Sequence, residues 1–503
     1  MRKDNVRVLL ISPYPDITSF GLRTLSSYLR SNGVWTRLVF LPDPLGDDLV
    51  QGVERYSHVV LDELQRMALD VDLIGIGLMT NYFDNARQIT AYLKQHVAAP
   101  IIWGGVHPTI RPLECLQFAD WVCVGDGEEA LLEVARKLHA NERLDDIPNI
   151  WGEGETGIFQ NPPRALTRDL DSFPFPDYSC KDHYILYQGH IRPLDMELIR
   201  RFLSHGTVSR HLGRIGYQTM TGRGCPHKCS YCINDAIKTL YGASGYLRWR
   251  SVGHVIAELK QAISQFPFID FIWISDDAFL SRSLKSIQYF CDAYKKEIGL
   301  PFSCLASPLT VDAEKMEALV NAGLKYIQMG VQTGSSRMQA VFNRKSMNNA
   351  VMLSAMEIIH RYRDRMDPPS YDFILDVPYE SLQDKIDSLR LIARIPKPFR
   401  LQPFALVLYP GTLLYEKAKT DGLIQNEIQD IYAKSYTMQS PTYTNLLVLA
   451  ARNGRFPSRL LEILSTEPLV DFMENHFPRY AVKLLFIALK RVKKILRKLK
   501  GSS

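Results

Sequence analysis

The sequence predicts an α/β protein in which two successive series of strands and helices are followed by a helical region. Short runs rich in β-branched and aromatic residues alternate with helical stretches from residue 6 to about residue 140. The same alternation returns between residues 217 and 408, and from about residue 425 onward the pattern is helical. A chain of 503 residues has room for about two to four domains.

The first series, residues 1–140, predicts a parallel sheet with helices on both faces, because its strands are short, apolar and separated by helices. We expect helices over residues 20–31, up to His96 and up to His139. In such sheets ligands bind at the carboxyl ends of the strands. The predicted strands cover residues 6–12, 36–41, 73–78, 101–103 and 121–124.

The second series, residues 206–425, predicts a full or partial (β/α) barrel, in which an active site lies at the carboxyl ends of the strands. Prolines interrupt the preceding residues 141–205, which we interpret as a linker wrapped over the surface, with room for a few short strands or helices. Residues 426–503 form the helical C-terminal region. The predicted barrel strands cover residues 217–221, 268–275, 302–306, 326–332, 371–375 and 401–408.

Composition and charge describe an ordinary globular chain with one basic end. The chain is 46% hydrophobic and 23% charged, as is typical of soluble proteins. Its net charge is +6, but residues 479–500 hold nine Lys and Arg and no acidic residue, so the remainder carries −3. This slightly acidic body argues against nucleic acid as a partner. We find no secretory signal and no spanning apolar stretch, and we expect a cytoplasmic protein.

Cys225, Cys229 and Cys232 follow the first strand of the second series in a CxxxCxxC run. In a reducing compartment this spacing indicates metal ligation. A structural zinc ion takes four ligands, and the further candidate nearby, His227, stands between two of the cysteines. A four-iron–four-sulfur cluster held by three thiolates keeps one iron open for a substrate. Zinc-bound or merely buried cysteines are the alternative.

This run, at the end of the first barrel strand, resembles the motif of the radical S-adenosylmethionine (SAM) superfamily. The resemblance implies a TIM-type radical SAM barrel in which the three cysteines hold a 4Fe-4S cluster that cleaves SAM. It also implies an electron donor such as flavodoxin or ferredoxin. Tyr231 stands where the superfamily usually carries an aromatic residue, which would pack near the SAM adenine.

Other superfamily positions match more loosely. Ser275 and Asp276 end the second barrel strand, where the family binds the methionyl amino group, although the usual Gly-Gly-Glu is absent. Gln332 ends the fourth strand and resembles a segment that faces SAM. Arg344 follows at a position that often reaches the SAM carboxylate. Each residue has a plain structural alternative, and the carboxylates could simply cap the following helix.

The first domain resembles the Rossmann-like, flavodoxin-like cobalamin-binding domain that precedes the barrel in one radical SAM subclass. The resemblance rests on Ser12-Pro-Tyr-Pro, Phe20-Gly21-Leu22, the segment 103–109 and Gly125-Asp-Gly-Glu128. A flat corrin and its nucleotide tail need backbone close to the ligand, which side chains would block. The glycines expected to bind cobalamin are Gly21, Gly104, Gly105, Gly125 and Gly127.

The first domain departs from cobalamin mutases because no Asp-x-His-x-x-Gly segment follows its first strand. We therefore expect no protein histidine on the cobalt. His107 is the only histidine in a binding-edge loop, and we favour a structural role that positions the turn over a role as ligand. The alternative for the whole domain is a degenerate flavodoxin-like module without a ligand.

The resemblance implies a cobalamin-dependent radical SAM methyltransferase that methylates an unactivated carbon of a small-molecule or lipid-like substrate. A second hypothesis keeps the same parts but performs cyclisation or rearrangement without methyl transfer. A third, a cobalamin-dependent sensor, conflicts with the intact cysteine triad. A methylthiotransferase acting on tRNA is disfavoured because the chain has neither a second cysteine cluster nor a basic body.

The basic end of the chain has the pattern of an amphipathic helix. Leu485, Leu489, Val492, Leu496 and Leu499 recur at helical spacing, and most of the Lys and Arg residues lie on the other side. Such a helix suits the surface of an anionic membrane. We therefore weigh peripheral attachment to the inner face of the membrane against docking on the protein's own body or recognition by a partner protein.

Overall fold

The computed structural model describes residues 6–14, 17–42, 55–242, 245–437, 439–476 and 484. The chain divides into two compact units. The first comprises Met1–His227, Tyr231–Asp277 and Leu408–Lys434, and the second comprises Lys228–Ser230, Ala278–Val407 and Ser435–Ser503. The amphipathic tail predicted over residues 479–500 lies outside the described residues, apart from Leu484. In the part of the chain that is described, no helix is long and apolar enough to cross a membrane.

The first unit is built on a nine-stranded sheet in the order β7-β6-β5-β4-β3-β1-β2-β8-β9. Its central strands are parallel, and residues 8–11 of β1 are almost completely buried, as expected for a sheet covered on both faces. The five strands predicted for this domain are confirmed to within about two residues at each end. The strands are β1 Arg7–Ser12, β2 Trp35–Phe40, β3 Leu73–Gly77, β4 Ile101–Gly104, β5 Trp121–Cys123, β6 Ile150–Gly154, β7 Gly157–Gln160, β8 His183–Tyr187 and β9 His190–Pro193.

The segment predicted as a surface linker contributes four of these strands. β8 continues the parallel sheet beside β2, whereas β6 and β7 at one end of the sheet and β9 at the other pair in antiparallel fashion. The sequence allowed a few short strands in this segment but did not locate them, because the segment is interrupted by prolines and weakly patterned. The helices that follow or cover these strands are α1 Phe20–Ser31, α2 His58–Ala68, α3 Phe83–His96, α4 Val106–Ile110, α5 Pro112–Cys115, α6 Glu128–Ala140, α7 Met196–His205 and α8 Thr207–Leu212.

The first unit also holds the beginning of the second series. β10 Gly216–Thr219 pairs in parallel with β13 Phe271–Ile274. The chain between these two strands includes a separate antiparallel ribbon of β11 Gly222–Arg223 and β12 Arg248–Trp249. The helices of this part are α9 Ile233–Leu240, α10 Val252–Gln265 and α16 Leu413–Thr420, with a π-helical turn at Ile428–Tyr432.

The second unit carries four parallel strands in the order β14-β15-β16-β17. Together with β10 and β13 they account for the six barrel strands that the sequence predicts, each followed by helical structure, and the predicted fold class is confirmed. The elements are β14 Phe302–Ala306, β15 Leu324–Gln332, β16 Ser370–Leu375 and β17 Arg400–Ala405, with helices α11 Leu284–Glu297, α12 Ala313–Asn321, α13 Ser336–Val341, α14 Asn349–His360, α15 Leu382–Ala393, α17 Tyr443–Ala451, α18 Ser458–Leu464 and α19 Glu467–Asn475.

Candidate functional site

A cavity of about 430 Å³ lies in the first unit, at the carboxyl ends of β1, β3, β4 and β5. Its walls are mostly apolar and include residues of α1 and α6. The topology explains this position, because parallel strands end at one edge of the sheet and ligands bind there. All five glycines that the sequence selected line this one cavity: Gly21, Gly104, Gly105, Gly125 and Gly127.

Two of these glycines occupy positions that other residues would strain. Gly105 and Gly125 have φ values of 103° and 91°. A Cβ atom on Gly105 would lie 2.7 Å from the Leu78 carbonyl oxygen, and one on Gly125 would lie 1.8 Å from the Tyr241 hydroxyl. At Gly21, by contrast, a Cβ atom would have nothing within 4 Å. Gly105 and Gly125 are therefore required by contacts within the protein, whereas Gly21 leaves open space at the cavity.

The floor of the cavity contains two further glycines that sequence reasoning did not select. Gly75 and Gly77 lie within β3, and a Cβ atom on them would meet the side chains of Leu10 at 2.9 Å and Leu22 at 3.0 Å. Glycine inside a buried strand is a recognised sign of close approach by a ligand or by backbone. That signal was present in the sequence and could have been used.

The remaining wall comes from two places that the sequence did not connect with the cavity. Phe173 and Pro176 belong to the segment predicted as a linker, and Arg223 and Arg250 belong to the region around the cysteine motif. Nothing local in the sequence indicates this, because these residues reach the cavity only through the folding of distant segments.

Tyr14, which follows β1, lies in the cavity wall and packs edge-on against Tyr82 with ring centroids 5.3 Å apart. Burial raises the pKa of Tyr14 above its usual value, so the side chain remains a neutral phenol. Among the described residues that line the cavity there is no histidine.

His107 is fully buried and packs between the rings of Phe83 and Tyr432. Its Nδ1 lies 3.1 Å from the Thr80 hydroxyl. Burial lowers the pKa of His107 to about 4, so the imidazole is neutral at physiological pH. This environment agrees with the structural role that the sequence favoured for His107.

The cysteine loop begins directly after β10. The backbone N–H and the hydroxyl of Thr221 both donate to the carboxylate of Asp276, which is 1% exposed. Further along, Lys238 Nζ donates to the carbonyl of His227 at 2.8 Å. These contacts fix the path of the backbone on either side of Cys225, whose thiol is partly exposed, as is that of Cys232.

The middle of the cysteine loop belongs to the second unit. Ser230 donates from its N–H to Phe342 at 3.1 Å, and Asn343 Nδ2 donates to the Lys228 carbonyl at 2.8 Å. Between these contacts Cys229 is buried, and Arg344 Nη1 lies 3.4 Å from its sulfur.

Arg344 is 4% exposed, and its Nη2 also donates to the carbonyl of Gly330 on β15 at 2.7 Å. The guanidinium thus holds a positive charge against the sulfur of Cys229, next to a carbonyl that it also binds.

The five other cysteines lie outside the motif. Cys115, Cys123, Cys291 and Cys304 are buried, and Cys180 is partly exposed. Burial raises the pKa of Cys123 and Cys291 to about 12, so their thiols are protonated and inert. In the described parts of the chain, no three His, Cys, Asp or Glu side chains are close enough to hold one metal ion. A 4Fe-4S cube binds each thiolate through a separate iron, so its ligands need not converge on a single point.

The residues expected to contact SAM have mixed surroundings. Asp276 uses both carboxylate oxygens on Thr221, so in this structure it supports the cysteine loop. Ser275 continues the strand pairing through its N–H to Thr219 at 2.8 Å. Gln332 ends β15 with a φ of 74°, a conformation that is uncommon outside glycine. Tyr231 is half-buried beside the third cysteine.

Asp372 is an ionisable residue that sequence reasoning missed. It lies on β16, and both of its carboxylate oxygens accept from Gln328 Nε2 on the neighbouring strand, at 3.0 and 2.9 Å. Burial raises the pKa of Asp372 to about 7, although the Gln328 hydrogen bond acts in the opposite direction. An isolated Asp within a strand gives no signal in the sequence.

Comparison with known protein families assigns the two parts of the chain. The family model described as a B12 binding domain matches residues 6–135, and that of the radical SAM superfamily matches residues 219–392. An uncharacterized methyltransferase of Pyrococcus horikoshii is 23% identical over 367 residues, which cover 71% of each chain.

Solved structures share the fold. OxsB, a cobalamin-dependent SAM radical enzyme solved with aqua-cobalamin and SAM bound, superposes with a TM-score of 0.68 at 14% identity, over 99% of this chain and 80% of OxsB. TsrM from Kitasatospora setae, a radical SAM methyltransferase solved with cobalamin and a 4Fe-4S cluster, gives a TM-score of 0.61 at 15% identity, over 83% and 75% of the two chains. The chain therefore joins a B12-binding domain to a radical SAM domain, and the cofactors of these two domains are cobalamin for the first and a 4Fe-4S cluster with SAM for the second.

Proposed function

We propose that this enzyme is a methyltransferase that methylates an unactivated carbon of a small-molecule or lipid-like substrate. The observation that carries the proposal is the presence, in one chain, of a glycine-lined cavity at the sheet edge and a three-cysteine loop whose central thiol contacts Arg344. When bound, the cluster supplies the electron that cleaves SAM, and cobalamin supplies a cobalt that carries the methyl group.

The cavity residues suit cobalamin in both shape and chemistry. Leu10, Gly75 and Ile102 lie in the middle of their strands, so the cavity extends down between the sheet and its covering helices. A narrow, apolar space of this kind accommodates a nucleotide tail, and the bare glycine backbone at the rim leaves room for the corrin. In this proposal Gly21, Gly104, Gly105, Gly125 and Gly127 bind cobalamin, and no protein histidine binds the cobalt.

In the same proposal Cys225, Cys229 and Cys232 ligate the cluster, and Tyr231, Ser275, Gln332 and Arg344 surround SAM. Arg344 has the strongest support, because its guanidinium already lies against a cluster cysteine and can also face a carboxylate bound nearby. Asp276 does not contact SAM directly in this arrangement. It accepts two hydrogen bonds from Thr221 and so positions the start of the cysteine loop.

Methyl transfer can be tested without knowing the substrate. The reconstituted enzyme is incubated with a reductant, SAM labelled in its methyl group, and a small-molecule extract from a strain that lacks the gene. We expect label in a new product, together with 5′-deoxyadenosine and S-adenosylhomocysteine. A new product without label, accompanied by 5′-deoxyadenosine alone, would contradict the proposal and favour cyclisation or rearrangement.

The lipid-like substrate class rests on the basic tail over residues 479–500, which holds nine Lys and Arg and no acidic residue. Each Lys or Arg near an anionic membrane contributes about 1 kcal/mol. We expect the full chain, but not a chain that ends at residue 477, to float with anionic liposomes at low salt. Equal recovery of both forms would remove the argument for a lipid-like substrate while leaving methyl transfer itself untouched.

A further inference from the structure

Arg223 connects the cobalamin cavity with the cysteine loop inside the first unit. It stands two residues before Cys225, and its side chain lines the cavity. Its Nη2 donates to the Glu128 carboxylate, and its Nη1 donates to Asp126 at 3.3 Å. Asp126 lies in the glycine loop, residues 124–127, which follows β5, and Glu128 is the first residue of α6; both line the cavity.

The glycine loop is held by two further residues from the same region. Arg248 is the register partner of Arg223 in the β11–β12 ribbon, and its Nη2 donates to Asp126 at 3.0 Å. The N–H of Asp126 donates to the Tyr241 hydroxyl at 2.7 Å. Two arginines on adjacent strands thus share one carboxylate, which relieves the repulsion between them.

Burial makes this connection stiff. The Glu128 and Arg248 side chains are 6% and 5% exposed, whereas those of Arg223 and Asp126 are 27% and 33% exposed, so the Arg223–Glu128 contact is the better shielded one. Charged hydrogen bonds that are shielded from water are stronger and more directional than those at the surface. A displacement of the glycine loop therefore has to move the backbone next to Cys225, or break these ion pairs.

We propose that Arg223 is a positioning residue that couples the two cofactor sites, so that cobalamin and the iron–sulfur cluster each strengthen the binding of the other. The inference rests on the proposed binding of both cofactors by these loops. By thermodynamic linkage, the factor by which the cluster raises cobalamin affinity equals the factor by which cobalamin raises cluster affinity.

The test measures the dissociation constant of hydroxocobalamin by absorbance titration, for the full chain with and without a reconstituted cluster. We expect the cluster to tighten binding at least about fivefold in the unaltered protein, the lower end of typical couplings between sites. In Arg223→Gln the ratio of the dissociation constants without and with the cluster should fall to about one. The iron content after reconstitution at high iron concentration should stay normal.

The matched control is Arg111→Gln. Arg111 is 26% exposed and forms an ion pair with Glu427 at 3.2 Å in the same unit, but it does not line the cavity. We expect this variant to keep the full ratio. Glu128→Gln should lower the ratio of cobalamin affinities as far as Arg223→Gln does. The double variant should lower this ratio no further than either single variant.

Three results would overturn the coupling. They are an unchanged ratio in Arg223→Gln, a ratio of one in the unaltered protein, and the same loss in Arg111→Gln. If Arg223→Gln does not fold, Arg223→Lys replaces it, because lysine keeps the charge but not the forked donor. An unchanged ratio of cobalamin affinities in both Arg223→Lys and Glu128→Gln would then overturn the coupling. Failure of the unaltered protein to bind hydroxocobalamin would instead contradict the proposed function.

Discussion

The cavity of the B12-binding domain and the surroundings of the cysteine triad were predicted from different kinds of sequence signal. In the first unit, every glycine chosen from the sequence lines the same cavity. Around the triad, Arg344 contacts a cysteine, but Asp276 is occupied by Thr221. Glycines at strand ends are placed by topology alone, whereas the role of a carboxylate depends on which distant group it meets. Site prediction is therefore more secure where the backbone forms the site.

The largest expected effect sharpens the contrast between the triad and the other cysteines. Replacing Cys225, Cys229 and Cys232 with Ala should abolish iron binding, the broad visible absorption of the cluster and all SAM cleavage. Cys291→Ala is the control, because its buried thiol is protonated and lies outside the motif. Normal iron content in the triple variant, measured by metal analysis, would contradict the assignment of the cluster.

The next effect concerns the cavity alone. Gly125→Val places a branched side chain against the Tyr241 hydroxyl at a positive φ, which costs about 1–3 kcal/mol in strain and forces the backbone that lines the cavity to shift. We expect cobalamin binding to weaken at least about tenfold, since about 1.4 kcal/mol corresponds to a factor of ten. Iron content should not change.

Gly253→Ala is the matched control for this glycine. Gly253 lies in α10, without a positive φ, and its nearest neighbour is 3.9 Å from an added Cβ atom. Cobalamin affinity equal to that of the unaltered protein is expected for Gly253→Ala. The same affinity in Gly125→Val would show that the glycine loop does not form the binding rim.

Particular elements show how much of the fold and of the site could be predicted from the sequence. The α1 helix and the strand β14 were predicted to the residue, because hydrophobic periodicity and caps are local properties. The positions of the strands within residues 141–205 and the Arg223–Glu128 ion pair were not predicted. That segment is weakly patterned and interrupted by prolines, and an ion pair across 95 residues is a property of the fold.

A smaller effect tests the second unit through pH. Because the pKa of Asp372 is raised to about 7, the folded protein binds this proton more tightly than the unfolded chain, whose Asp has a pKa of about 4. Stability contributed by this group is therefore full below about pH 4 and is lost as pH rises towards 7.

The Asp372→Asn variant should show a smaller decrease in Tm between about pH 5 and pH 8 than the unaltered protein does, measured by differential scanning fluorimetry. Glu380, whose pKa burial also raises to about 7, keeps part of the dependence in both proteins. Parallel Tm curves for the two proteins would show that Asp372 does not carry a buried proton at neutral pH.

The smallest expected effect is none at all. His107 is neutral and engaged with Thr80, so His107→Gln should leave the electron paramagnetic resonance spectrum of the Co(II) form unchanged. Neither protein should show nitrogen splitting from an imidazole on the protein. Such splitting in the unaltered protein, and its disappearance in the variant, would instead make His107 a ligand of the cobalt.

The central claim is that one chain holds both cofactors, and metal analysis of a single preparation tests it most directly. After anaerobic reconstitution with iron, sulfide and hydroxocobalamin, followed by gel filtration, the account predicts about four irons and about one cobalt per chain. Iron without cobalt would show that the N-terminal domain is a module that has lost its ligand, and cobalt without iron would contradict the assignment of the cysteine triad.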